Sequence, residues 1–321
     1  MKKLPSISNQ IDEDKIFKII NKNFSKIAPF YYKLITNWLI RSYNVFKDID
    51  KFIILIYFIN KDLIFYRKNG LIIDYDTFYK DKSLEIPKIN ISDISKDLQI
   101  PKESIRRKLQ ELEKTGVIKK TKKKIFLDRS AFIVQKPEST LREFSALINK
   151  FNEVLTEEKI TNIIFDTSEI SKSIKTNFSF CWYQFYKFLF IFTKRWRENI
   201  ADLETFTIGL VVLLNTVGNK NFKSKYLNRK SWVKISQGAD DVGINTMSLS
   251  DITGIPRPTV VRKLKYLIKN NFLHINEKKL ITLNITDASL KKTIKLQDLN
   301  MKNLSNFLYR IFNQIKITNI N

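Results

Sequence analysis

Apolar side chains recur at intervals of three and four along most of this chain, the spacing of amphipathic helices, and alternate at intervals of two only in short pieces. The pattern predicts aromatic-rich helices over 29–45 and 180–198. Each is followed by a more apolar helix, over 51–60 and 205–216. Acidic residues open these second helices (Asp48 and Asp50; Asp202 and Glu204), where they complement the positive end of the helix dipole. Two polar stretches follow, 61–90 and 216–245. Both are long for connectors, so each is expected to hold a short helix, at Asp74–Lys82 and Tyr226–Gln237.

Beyond each connector the apolar spacing resumes. Helices are predicted over 92–98, capped by Ser92, and over 102–115, started by Pro101 and stopped by Gly116. Short strands follow at 117–118 and 125–127, around the turn KKTKKK. The second series has helices over 248–253 and 257–270, a turn at Gly254, strands at 272–275 and 279–283, and Asn270-Asn271 in place of the terminating glycine. Helices over 138–157 and 296–316 end the two series.

The two series are echoes of one another. IPKESIRRKLQEL (100–112) and IPRPTVVRKLKYL (255–267) share Ile100/Ile255, Pro101/Pro256, Arg107/Arg262, Lys108/Lys263, Leu109/Leu264 and Leu112/Leu267. The same offset of 155 places Phe30-Tyr31 on Phe185-Tyr186, Leu34 on Leu189, Ile53 on Ile208, Leu55 on Leu210, Asn60 on Asn215, Asn90 on Asn245, Ser95 on Ser250 and Lys123-Lys124 on Lys278-Lys279, without a gap. An internal duplication accounts for this economically. It predicts a mainly α chain, pseudo-dimeric within one molecule: an N-terminal extension 1–27, a first half 28–156, a linker 157–179 and a second half 180–321.

Charge narrows the partners. The chain has 321 residues, a net charge of +25 and 43% hydrophobic residues, which is enough to fill packed cores and basic enough to favour a polyanion. An AT-biased genome inflates Lys, Ile, Asn and Phe together, but it does not decide where Lys and Arg cluster. No apolar run approaches the roughly 20 residues of a membrane span, and no apolar stretch follows the two N-terminal lysines, so no signal peptide is expected. A cytoplasmic, nucleoid-associated protein is expected.

ISDISKDLQIPKESIRRKLQELEKTGVIKK (91–120) and MSLSDITGIPRPTVVRKLKYLIKNNFLHI (247–275) resemble the winged helix–turn–helix of bacterial transcription regulators of the MarR, IclR and GntR groups. The departures are Gln99 where Gly is usual and Asn271 for the glycine after the second helix. The resemblance covers about 40 residues in each copy and implies two winged-helix units with small β wings (helix–turn–helix 91–116 and 247–271; wings 117–127 and 272–283). It implies that 102–115 and 257–270 are recognition helices in the major groove of double-stranded DNA.

Helical spacing then sorts the side chains. Ile105, Leu109 and Leu112 face inward, leaving Glu103, Arg106, Arg107 and Gln110 outward; Val260, Leu264 and Leu267 leave Pro258, Val261, Arg262 and Lys265. Arg pairs bidentately with guanine and Gln with adenine. Arg107 and Arg262 are therefore the leading base-contact candidates, with Arg106, Gln110 and Lys265 beside them. Ser104 and Thr259 suit phosphates, and Lys102 and Arg257 open the two helices. In the wings Lys119, Lys120, Lys122, Lys123, Lys124 and Lys278 suit phosphates or a minor groove. About eight neutralised phosphates give a log–log salt slope near −7. The first half, with its lysine-rich wing, is expected to supply more of the electrostatic affinity. Because the two faces differ, one molecule is expected to read an asymmetric two-part site.

Little else suggests chemistry. One cysteine, Cys181, and one histidine, His274, leave no disulfide and no multi-His or thiolate metal cage, and no cofactor is expected. There is no phosphate-cradling glycine loop, paired-carboxylate motif or nucleophile–base pattern, so no enzyme is expected. The stretch FSFCWYQFYKFLFIF (178–192) is read as a helix packed between the halves. A small-molecule effector is a further possible partner that no residue identifies. Within DNA binding, a plasmid-type replication initiator with two winged-helix domains is the alternative; outside it, a protein-interaction scaffold or an RNA-binding protein.

Overall fold

The computed structural model describes residues 12–80, 83–128, 137–218, 227–237, 243–284 and 287–319. It is mainly helical, 73% helix, with small antiparallel sheets. The chain begins with α1 (Glu13–Lys22), α2 (Phe24–Phe46), α3 (Ile49–Lys68), α4 (Tyr75–Lys80) and β1 (Ser83–Pro87). There follow α5 (Ile91–Leu98), α6 (Lys102–Lys114), β2 (Ile118–Lys120), β3 (Lys124–Asp128), α7 (Glu138–Glu157) and α8 (Thr167–Thr176). The remainder is α9 (Phe178–Asn199), α10 (Leu203–Val217), α11 (Arg229–Gln237), α12 (Thr246–Thr253), α13 (Arg257–Lys269), β4 (Leu273–Ile275), β5 (Ile281–Leu283) and α14 (Asp287–Asn319). The order of α2, α3, α5, α6, β2 and β3 recurs in α9, α10, α12, α13, β4 and β5.

Several elements differ from the sequence expectation. The stretch read as an N-terminal extension contains α1, whose buried Ile16, Ile19 and Ile20 pack it along α14. The stretch read as a linker contains α8, fixed by a capping box in which Asp166 accepts from the Ser168 and Glu169 amides and Glu169 accepts from the Asp166 amide. Helix α3 runs to Lys68, eight residues past its predicted end, because Leu63 continues its buried face. The first connector also forms β1, whose buried Leu84 and Ile86 alternate with exposed neighbours. Asn90, not Ser92, holds the cap position of α5, and Pro101 sits just before α6, its carbonyl accepting from the Ile105 amide at 3.0 Å. Residues 81–82 and Tyr226, at the ends of the two predicted connector helices, lie outside the described residues.

The sheets are small. Strand β3 lies between β1 and β2, with Leu84 opposite Leu127 and Ile118 also opposite Leu127. Strands β4 and β5 pair with Leu273 opposite Leu283, and Ile244 bridges Ile281 on the free side of β5.

The core is continuous and aromatic, and the two halves are interlocked within it. Helix α2 packs on α7 and α10; α9 packs on α3 and α14. Each aromatic helix thus lies against the second helix of the other half. The Tyr31 ring of α2 meets Phe188 and Phe192 of α9 edge-on at 6.2 and 6.4 Å, and Phe188 stacks on Phe307 of α14 at 4.9 Å. Phe178, Cys181, Trp182, Phe185, Phe188, Leu189 and Phe192 are buried, and burial pushes the Cys181 thiol far up, leaving it an inert apolar side chain. No single described helix is long and apolar enough to cross a membrane; α9 and α10 meet that test only as a pair bent by 99°.

Candidate nucleic-acid interface

Two exposed helices, α6 and α13, carry the sequence candidates, and the turns that lead into them share several features. Each follows a short helix through a turn with one left-handed residue: Gln99 at φ 55° after α5, Gly254 at φ 69° after α12. In both, a serine hydroxyl closes the turn onto an isoleucine carbonyl, Ser95 Oγ to Ile100 O at 2.7 Å and Ser250 Oγ to Ile255 O at 2.8 Å. A second left-handed residue releases the chain into the hairpin, Gly116 (φ 74°) and Asn271 (φ 61°). At Gly254 an added Cβ would lie 2.4 Å from Asn44 Oδ1 of α2, so this turn is docked on the opposite half.

The inward faces are as the spacing predicts: Ile105, Leu109 and Leu112 in α6, Val260, Leu264 and Leu267 in α13. Behind each helix a lysine is turned inward. Lys108 is 8% exposed and its ammonium reaches the Asp48 carboxylate, with Asp50 at 4.0 Å. Lys263 donates to Asp202 Oδ1 at 2.6 Å. Asp48 and Asp202 are the caps of α3 and α10, accepting from the Lys51 and Thr205 amides. Each exposed helix is therefore pinned, through one lysine, to the start of the helix beneath it. Sequence reasoning did not assign these lysines a role, yet the signal was present: Lys108 and Lys263 are identical at offset 155 and fall on the apolar side.

The carboxylates at these anchors titrate in opposite senses. Burial opposes ionisation of Asp202, but Lys263 and the Thr205 amide outweigh it and hold its carboxyl below the usual range. Glu204, two residues on, is pushed up by burial, with Asp202 and Asp50 adding to the rise. Its Oε1 accepts from the Ile49 amide at 3.3 Å, across the junction of the halves.

The outward faces hold the candidate residues. Lys102, Arg106, Arg107, Gln110, Lys119, Lys122, Lys123, Lys124, Arg257, Arg262, Lys265 and Lys278 are exposed; Ser104, Lys120 and Thr259 are half-buried. Lys122 and Lys123 form the tip of the first hairpin, closed by the Thr121 amide donating to Lys124 O at 2.9 Å. Lys278 lies in the turn of the second, where the Asn276 side chain accepts from the Leu280 amide at 2.9 Å.

The two faces part company in their neighbours. Helix α6 has three glutamates among thirteen residues; α13 has no acidic residue. Arg106 pairs with Glu103, Arg107 approaches Glu111 at 3.9 Å, Lys120 pairs with Glu113 at 2.8 Å and Lys124 pairs with Glu85. Hydrogen bonds from Lys51 and Lys120 hold the Glu111 and Glu113 carboxyls low, so both remain charged. Arg257, Arg262 and Lys265 meet no carboxylate among the described residues. Four large apolar side chains are also exposed in the second unit, Met247, Ile252, Val261 and Ile275; the first unit, 91–128, exposes none. The lysine-rich wing alone thus does not decide which unit is more attractive to an anion. Neutralisation within the first unit moves the balance toward α13.

No family model matches the chain, and no curated protein or solved structure matches it either. Among the described residues no group of three His, Cys, Asp or Glu side chains is placed to hold a metal ion.

Proposed function

We propose that this chain binds double-stranded DNA sequence-specifically, as a transcription regulator built from two winged helix–turn–helix units related by internal duplication. The observation that carries the reading is the shared architecture of α6 and α13: apolar on one side, pinned from behind by a lysine–aspartate pair, and presenting cationic and amide side chains on the other. In this reading each helix lies in a major groove and the hairpin beside it contacts the flanking backbone.

The roles divide between the units. Arg107 and Gln110 read purine edges in one half-site, while Lys119, Lys122 and Lys123 at the hairpin contact phosphates. Arg262 and Lys265 read the other, and exposed Val261 beside them suits a thymine methyl. Ser104 and Thr259, half-buried in the first turns, suit phosphate oxygens. The interlocked core holds both units on one body, so a single chain presents two unlike reading faces.

The test is fluorescence anisotropy with duplexes selected from a random pool. The expected result is saturable binding with a log–log salt slope near −7, as for about eight phosphates. A chain that fails to bind any duplex, or binds without salt dependence, overturns the proposal.

A further inference from the structure

The three glutamates of α6 are not equivalent. Glu111 is held by Lys51, on α3, and Glu113 by Lys120, on β2, so both carboxylates are tied to the protein around them. Glu103 has no such tether. It stands in the first turn of α6 with its side chain 80% exposed. Its ion-pair partner among the described residues is Arg106, one turn on and itself 53% exposed. Glu103, Arg106 and Gln110 follow at i, i+3 and i+7, so they form a line along the outward face, and all three are exposed. At offset 155 the first two positions of that line are Pro258 and Val261, exposed and without a polar side-chain atom.

An untethered carboxylate on a helix that faces DNA weakens its attraction to any sequence, because the DNA backbone is anionic. It becomes favourable only opposite a base edge that donates. A carboxylate accepts hydrogen bonds and cannot donate them. In the major groove guanine presents the acceptors O6 and N7, and thymine presents O4 and a methyl group. Adenine sets its N6 donor beside the acceptor N7, whereas cytosine presents the N4 donor alone. Cytosine is therefore the edge that fits. The Arg106 guanidinium has donors on two edges, so one edge can stay on Glu103 while the other takes guanine O6 and N7. Three residues of helix rise about 4.5 Å and one base pair about 3.4 Å, which brings the two side chains to adjoining pairs.

We propose that Glu103 is a specificity-determining residue of the first unit, accepting from N4 of a cytosine and steering Arg106 onto a guanine in the adjoining pair. The inference rests on the reading that α6 lies in a major groove. It applies to one half-site only, because Pro258 and Val261 offer the other half-site no hydrogen bond.

The test uses the full chain and a duplex that it selects from a random pool, with the four bases exchanged in turn at every position of both half-sites. Anisotropy titrations compare the unsubstituted chain with Glu103→Gln and Arg106→Ala. Both side chains are exposed, so the variants are expected to melt with the unsubstituted chain. The unsubstituted chain is expected to prefer cytosine about tenfold at one position of one half-site. Glu103→Gln is expected to remove most of that preference, shifting it toward adenine, whose edge a Gln side chain matches. The same variant is expected to bind unrelated duplexes more tightly, because it removes a negative charge; a pair that only stabilised the helix would move neither readout. Arg106→Ala is expected to lower the preference for guanine at the adjoining pair about tenfold. A cytosine preference that Glu103→Gln leaves unchanged, or the absence of any such preference in the unsubstituted chain, overturns the inference and leaves duplex binding standing. A chain that selects no duplex overturns both.

Discussion

The unit around α6 and the unit around α13 share a skeleton and differ in almost everything that skeleton displays. Both have a left-handed turn closed by a serine, an apolar inner face and a lysine pinned to a helix cap. Outwardly, α6 carries arginines held by glutamates of its own, beside a wing with five lysines between 119 and 124; α13 carries unopposed cations and exposed apolar side chains beside a sparser wing. Residues that set the position of the helix repeat, and residues available to a partner diverge. In the proposed reading, two half-sites of different sequence account for that divergence.

The comparison can be broken first at the anchors. Lys108→Met leaves Asp48 without its ammonium in a partly buried site, while Asp50 keeps Arg197, and is expected to cost about 3 kcal/mol in urea denaturation, the low end for one side of a buried pair. Lys263→Met is expected to cost only about 1 kcal/mol, because the Asp202 side chain is 38% exposed and solvent screens it. Equal losses would show that the two anchors do not differ as the geometry requires.

Next come the reading faces. Arg262→Ala is expected to weaken duplex binding by about 2 kcal/mol, roughly 30-fold, as for loss of one bidentate base contact. Arg107→Ala is expected to lose about 1 kcal/mol, because Glu111 competes for the guanidinium in the free protein. Titrations at one salt concentration decide the order; a larger loss at Arg107 reverses it.

The turns give a smaller contrast. Gly254→Ala is expected to cost about 1 to 2 kcal/mol, combining a left-handed backbone with the contact at Asn44. Gln99→Gly, at φ 55° in the other turn, is expected to stabilise by about 0.5 kcal/mol. Thermal denaturation of both variants checks the signs. Smallest is a pH effect at the anchors. Glu204 has its carboxyl raised in the folded protein, so the stability linked to it is present below the ordinary carboxylate range and lost as pH rises through the raised value. Glu204→Gln should therefore stabilise at pH 7 and do nothing at pH 4. Asp202 is lowered, so Asp202→Asn should destabilise at pH 7 and progressively less as the pH falls. Matching profiles for the two variants would contradict the opposite shifts.

Much of this was legible from spacing. Helix α7 has the bounds that the apolar pattern predicts, and α6 and α13 end within one residue of prediction, because each keeps one uninterrupted apolar face. Short elements escaped. Strand β1 has only Leu84 and Ile86 to mark it, and α8 only Ile170 and Ile174 as buried apolar positions amid Thr, Ser and Lys. Such pieces draw their stability from what they pack on, which no local pattern records. The interlocking of α2 with α10 and of α9 with α3 was hidden for the same reason: an aromatic face announces burial but not its partner. At the surface, spacing placed Arg107 and Arg262 outward alike; it did not reveal that Glu111 flanks one and that no carboxylate among the described residues flanks the other.

Selection of duplexes from a random pool, followed by footprinting of the selected site and its stoichiometry, tests the central claim most directly. The account predicts one chain on a site with two unlike halves, base discrimination being relaxed in one by Arg107→Ala and in the other by Arg262→Ala. A perfect palindrome occupied by two chains, or no selected duplex at all, would contradict it.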